Sequence, residues 1–147
     1  NDSVVVALAG AMKNVIAIAA GCAVGLGLGD NAKAAILTRG LSEIARFSLV
    51  MGAKSDTVYG LAVAGDLALT CAGPHSRNMA FGMALGRGEV PSGELAEGSH
   101  TVASLAHLAA LHKIDAPITK AVDKLVNHGE DLHQIVAGLL ARPAHTE

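Results

Sequence analysis

Apolar and polar positions along this chain fall into blocks with mostly helical spacing. Ser3 to Leu8 is a short β-branched run, Ser-Val-Val-Val-Ala-Leu, which predicts a brief strand or an extended entry segment. From about Ala11 to Leu26 the pattern is apolar all round, as expected of a helix at the centre of a domain. Gly25, Gly27 and Gly29 interrupt it, and Asp30 is placed to cap a second helix reaching about Val50. In that segment Ile36, Leu41, Ile44 and Leu49 form an apolar stripe, while Lys33, Arg39, Glu43 and Arg46 make the polar positions. Gly52 ends it, and Ser55 can cap a short helix carrying Val58 and Tyr59.

The stretch Leu61 to Thr70 is apolar except for Asp66 and Thr70, and Gly73-Pro74 breaks the chain after it. Ser76 opens a helix through about Leu85. Gly86 to Gly98 reads as a loop with Glu97 at its end. Val102, Leu105, Leu108 and Leu111 recur at helical spacing between Thr101 and His112. Pro117 sits in the first turn of the next helix, whose apolar face is Ile118, Val122, Leu125 and Val126, and Gly129 stops it. Asp131 caps a last helix carrying Leu132, Ile135, Val136, Leu139 and Leu140, and Arg142-Pro143 closes it. The pattern predicts an all-α bundle of six or seven helices with almost no sheet, forming one domain over residues 1–147. It contains no repeat and no internal linker.

Composition sharpens this picture. Apolar residues are 51% of the chain, yet there are only two Phe, one Tyr and no Trp. A core of Ala, Leu, Val and Ile favours close-packed helices. The net charge of −2, without a long basic run, argues against a nucleic-acid partner but leaves room for one small phosphate. Cys22 and Cys71 both lie in apolar surroundings and read as buried thiols of a reducing compartment. The histidines form no cluster with zinc-like spacing, so no metal site is expected. Between Val4 and Gly29 the only charged side chain is Lys13, so length and apolarity alone would allow a membrane span. A charge that deep costs about 3 kcal/mol or more in a bilayer, and Asn1-Asp2 is no basic leader, so a buried core helix is expected instead.

Polar groups inside apolar runs carry the candidate chemistry, because a buried charge is paired, shifted or functional. Lys13 in a partly desolvated cleft can polarise a carbonyl and donate its proton to the oxygen, or it can snorkel from a helix end. Asp66 can partner a cation or hydroxyl, or cap a helix after Gly65. Ser76-Arg77-Asn78 at a helix start suits a phosphate, through free backbone N–H groups and a two-pronged Arg, or is an ordinary capped end. Gly25-Leu-Gly-Leu-Gly29 departs from the dinucleotide fingerprint in its third glycine and follows a helix-like run instead of a strand. It reads better as a helix terminator.

Taken in order, these segments resemble the C-terminal domain of bacterial-type NAD(P)-dependent glycerol-3-phosphate dehydrogenases. The resemblance rests on Gly10-Ala-Met-Lys13-Asn-Val-Ile, Gly27-Leu-Gly-Asp-Asn with Thr38-Arg-Gly40, Gly65-Asp66-Leu67 with Thr70-Cys71, Ser76-Arg-Asn78, Glu97-Gly98, Pro117-Ile-Thr119 and Leu139-Leu-Ala-Arg-Pro143. It spans nearly the whole chain. Ala9-Gly10 stands where Gly-Gly is usual, Val63-Ala64-Gly65 where Gly-Leu-Gly is, and Leu95-Ala96 where Val-Val is. These swaps bear on fine geometry more than on function.

The resemblance implies a helical fold like the C-terminal domains of 6-phosphogluconate dehydrogenase-like enzymes. It makes Lys13 the catalytic proton donor, and Asp66, Thr70, Ser76, Arg77 and Asn78 the substrate-binding residues alongside it. Arg77, Leu95 and Glu97 would touch NAD or NADP, bound mainly by an N-terminal Rossmann half of which this chain carries no βαβ unit. Asn1-Asp2-Ser3 then reads as a cut at the domain boundary. The implied reaction is reversible reduction of glycerone phosphate to sn-glycerol 3-phosphate in the cytoplasm, feeding phospholipid synthesis. The 147 residues alone are expected to be inactive and to bind substrate weakly. A homodimer is a further expected partner state. The rival readings are a related 2- or 3-hydroxyacid dehydrogenase and a non-catalytic helical interaction module.

Overall fold

The computed structural model of the chain describes residues 2–52, 77–89 and 96–141, and among these residues there are six helices and no strand. They are α1 (Asp2–Gly25), α2 (Gly29–Val50), α3 (Arg77–Gly86), α4 (Ala96–Leu111), α5 (Pro117–Asn127) and α6 (Leu132–Ala141). The short helix expected after Ser55, the Leu61–Thr70 segment, Cys71, the Gly73-Pro74 breaker and the Arg142-Pro143 stop lie outside the described residues.

Helix α1 is the axis of the fold and packs against α2, α3, α4 and α5. Its central residues, Met12, Val15 to Ala20, Cys22 and Ala23, are buried on every side. Small alanines between the larger Ile and Val side chains let several helices approach one rod. Each fully buried Ile or Val there stabilises the fold by roughly 1.5–3 kcal/mol. α1 is the described helix long and apolar enough to cross a membrane, but most of that stretch is covered by its neighbours, as in a core helix. The valines at its start do not form the expected strand; they belong to the helix from Asp2 onward. No breaker separates them from the apolar helix that follows, and continuity of the helical ladder outweighs a weak β preference.

The α1–α2 turn uses its glycines as expected. The Leu28 N–H donates to the Ala23 carbonyl and the Gly27 N–H to that of Val24, a paired closure that needs Gly27 at φ 78°. Leu28, not Asp30, occupies the cap position of α2 and makes no side-chain cap bond. Asp30 lies in the first turn, where its charge still faces the positive end of the helix.

The polar side of α2 is not a solvated face. Glu43 is fully buried and accepts the backbone N–H groups of Ile118 (2.6 Å) and Thr119 (3.2 Å) and the Thr119 hydroxyl (3.1 Å). α5 starts at a Pro after Ala116, which offers no capping side chain. A carboxylate from α2 therefore caps α5. One turn on, Arg46 Nε donates to the Asp115 carbonyl at 2.7 Å, and one turn back Arg39 donates to the Leu139 carbonyl in α6. Three charged side chains thus clamp the backbone of α5 and α6 onto α2. The apolar stripe shifts in response: Ile36, Ile44 and Phe47 are fully buried, while Leu49 is about half exposed.

α4 begins earlier than the loop reading expects, so Glu97 and Gly98 fall in its first turn. Asp131 caps α6 as expected, its carboxylate accepting the His133 N–H at 3.3 Å.

Candidate active site

Two helices that carry site residues, α1 and α3, meet through glycines. Gly21 and Gly25 on α1 face Gly82 and Gly86 on α3. A β-carbon on Gly86 would stand 2.5 Å from the Cys22 carbonyl oxygen and 2.8 Å from the Gly25 Cα. One on Gly21 would stand 2.9 Å from the Met83 nitrogen and 3.0 Å from the Gly82 Cα. Backbone therefore rests on backbone, and the missing side chains are what allow it.

This contact also sets a register. Gly82 lies against Ile18 and Gly86 against Cys22, so four residues along α1 match four along α3 and the two helices run parallel. One further step back, about 6 Å along the axes, brings Asn14 level with Asn78 and Lys13 level with Arg77. Lys13 and Asn78 are half-buried and Arg77 is exposed. No acidic residue stands in the first turn of α3. Arg77 and Asn78 thus stand at the positive end of a helix, an arrangement suited to one small anion, with Lys13 at the same level along the neighbouring helix.

On the far side of α1, Gly40 of α2 meets Ile16, one turn from Lys13. A β-carbon there would lie 2.7 Å from the Ile16 Cδ1. Near Lys13, α1 is thus approached by α2 at Ile16 and by α3 at Ile18.

Of the other expected site residues, Asp66, Thr70, Ser76 and Leu95 lie outside the described residues. Glu97 is placed in the first turn of α4, though its side chain is not described. A cavity of about 340 Å³ opens between α5 and α6, lined by Lys120, Lys124, Glu130 and Gln134 among others. It contains none of the expected site residues, so the α1–α3 end is the better candidate.

The family model of the NAD-dependent glycerol-3-phosphate dehydrogenase C-terminus matches residues 2–137. The chain belongs to this family. A glycerol-3-phosphate dehydrogenase [NAD(P)+] of Agrobacterium fabrum is 48% identical over 148 residues, which cover 99% of this chain and 45% of that protein. One from Legionella pneumophila is 45% identical and is covered over 46% of its length. The chain spans about half the length of the curated relatives it matches. The crystal structure of the Coxiella burnetii glycerol-3-phosphate dehydrogenase superposes with a TM-score of 0.83 at 42% identity, over 92% of this chain and 43% of that one. The all-helical architecture expected from the sequence is therefore that of the glycerol-3-phosphate dehydrogenase C-terminal family.

Proposed function

We propose that this chain is the substrate-binding, catalytic-lysine part of an NAD(P)-dependent glycerol-3-phosphate dehydrogenase acting on glycerone phosphate and sn-glycerol 3-phosphate. The observation that carries the proposal is the glycine contact between α1 and α3, which sets Lys13 level with Arg77 and Asn78. A proton donor and a phosphate grip need a fixed spacing, and a rigid joint between the helices that carry them favours this reading.

Lys13 donates a proton to the carbonyl oxygen of glycerone phosphate as negative charge builds there, and takes it back in the oxidative direction. Arg77 and Asn78, at the positive end of α3 with Ser76 beside them, hold the phosphate so that the carbonyl faces Lys13. Asp66 and Thr70 complete the grip on the substrate hydroxyl and carbonyl. When bound, NADH or NADPH would supply the hydride for the carbonyl carbon. Arg77, Leu95 and Glu97 are this chain's residues for the cofactor, and an exposed Arg77 with no acid in its turn suits an anionic one. The remaining contacts fall to a dinucleotide-binding half, the partner this chain needs. The product would supply the glycerol backbone of phospholipids in the cytoplasm.

The test replaces the matching region of the Agrobacterium fabrum enzyme with this chain. The chimera should reduce glycerone phosphate with NADH or NADPH, and Lys13→Met should slow turnover by about 10²–10⁴-fold while leaving the fold intact. A chimera that folds, binds cofactor and leaves glycerone phosphate unreduced would reject the substrate assignment. Full turnover by Lys13→Met would reject the lysine's role.

A further inference from the structure

Glu43 is a fully buried carboxyl group that the reaction does not use. It lies at the base of α5, where its two oxygens receive three donors: Ile118 N–H on Oε2, and Thr119 N–H and Thr119 Oγ1 on Oε1. Two of those donors are backbone groups and cannot reverse. The third is a hydroxyl, which can donate or accept by turning about one bond. The cap is therefore built around one reversible partner.

We propose that Glu43 and Thr119 form a buried proton-binding site that caps α5 in both protonation states. In the ionised state the Thr119 hydroxyl donates to Oε1. On protonation, a proton from solvent joins Oε1, the new O–H donates to the Thr119 Oγ1, and that hydroxyl turns its own hydrogen to a backbone carbonyl three or four residues back in the chain. The Ile118 N–H bond to Oε2 is kept throughout. An acid without such a partner would leave a buried O–H facing a donor, which is costly.

The surroundings pull both ways. Burial disfavours the charged form and lifts Glu43 from 4.5 to about 7, while the backbone N–H groups, the Thr119 hydroxyl and the positive charge of Arg46 oppose the rise. Arg46 is itself tied to the Asp115 carbonyl, which keeps its charge near the site. Among the described residues, the other ionisable side chains on the packed elements are Asp30, Lys33 and Arg39 on α2, Lys13 and Cys22 on α1, Lys120, Asp123 and Lys124 on α5, and His133 on α6. Of all these groups, Arg46 supplies the charge that acts on Glu43.

The site would let the chain take up a proton near neutral pH without opening its core. Carbon-13 spectra of glutamate-labelled chain, followed from roughly pH 4 to 9, read this directly. One glutamate carboxyl should titrate near 7, vanish in Glu43→Gln, and shift in Thr119→Val while the others stay put. The Ile118 and Thr119 amides should remain protected from exchange on both sides of that midpoint. Glutamates that all titrate in the ordinary range would overturn the proposal. So would loss of amide protection at Ile118 on protonation, because the cap would then open. The wild-type titration and its Thr119→Val shift decide the matter even if Glu43→Gln does not fold.

Discussion

Gly82 rests against the backbone carbonyl of Ile18, with no room for a β-carbon between them. The groups on both sides are backbone, so neither can yield by changing rotamer. Gly82→Ala should therefore cost about 3 kcal/mol or more, at or above the upper end of ordinary overpacking. Gly10, in the α1 helix that carries Ile18, has open space around it among the described residues, and Gly10→Ala should stabilise by up to about 1 kcal/mol. Urea unfolding of the two variants checks the contrast; equal effects would mean that the helix contact is looser than described.

Gly40 presents a milder case. Its missing side chain faces Cδ1, Cγ1 and Cγ2 of Ile16, which are side-chain atoms and not backbone. Gly40→Ala should cost roughly 1–3 kcal/mol, and combining it with Ile16→Val should recover part of that loss. A double-mutant cycle measures the coupling, and strictly additive costs would contradict the contact.

The stability of the chain should carry a pH signature from Glu43. Its pKa in the fold, about 7, lies above the ordinary 4.5, so the folded chain holds a proton that the unfolded chain releases between those values. The stabilisation linked to that proton is fully present below about pH 4.5 and is lost as the pH rises through about 7. Relative to Glu43→Gln, which does not titrate, wild type should lose on the order of 3 kcal/mol across that window. Denaturation at a series of pH values reads the difference, and a flat difference would exclude the shift.

In the Agrobacterium chimera the two site cations should fail in different ways. Lys13→Met removes proton donation and should lower kcat by about 10²–10⁴-fold. Arg77→Ala removes a charged grip on phosphate and should chiefly raise KM, by about tenfold or more for a loss of 1.5–3 kcal/mol. Steady-state kinetics at saturating cofactor separate them. Arg77→Ala also distinguishes a phosphate site from a plain helical interaction module, whose folding and partner binding would be indifferent to it.

The glycine contact explains much of what was legible in the sequence and what was not. Gly21 and Gly25, like Gly82 and Gly86, stand four residues apart, a spacing that marks two helices able to touch. Read one helix at a time, Gly25 looks only like a terminator; the matching pair lies in a segment more than fifty residues away. The helices themselves were visible because apolar spacing is a local property. The start of α1 was obscured because three consecutive valines favour strand locally, and only the continuous ladder overrides them. Glu43 was hidden for a similar reason. Nothing within α2 indicates that a carboxylate between Ser42 and Ile44 is buried, since its three donors sit on a helix 75 residues on. Of the expected site, the helix positions of Lys13, Arg77 and Asn78 were readable from motif and period, but the match between the two helices was not.

A spacing made by main chain against main chain has no rotamers in it. Warming the protein populates alternative side-chain conformers throughout an ordinary core and blurs any distance that depends on them. The separation between the α1 turn bearing Lys13 and the start of α3 depends on none. The cost is that this joint cannot be retuned by enlarging or trimming a side chain: it tolerates glycine or it fails. Variation in substrate preference across such enzymes is therefore expected to arise in the segments that approach this fixed gauge from outside, and not in the gauge itself.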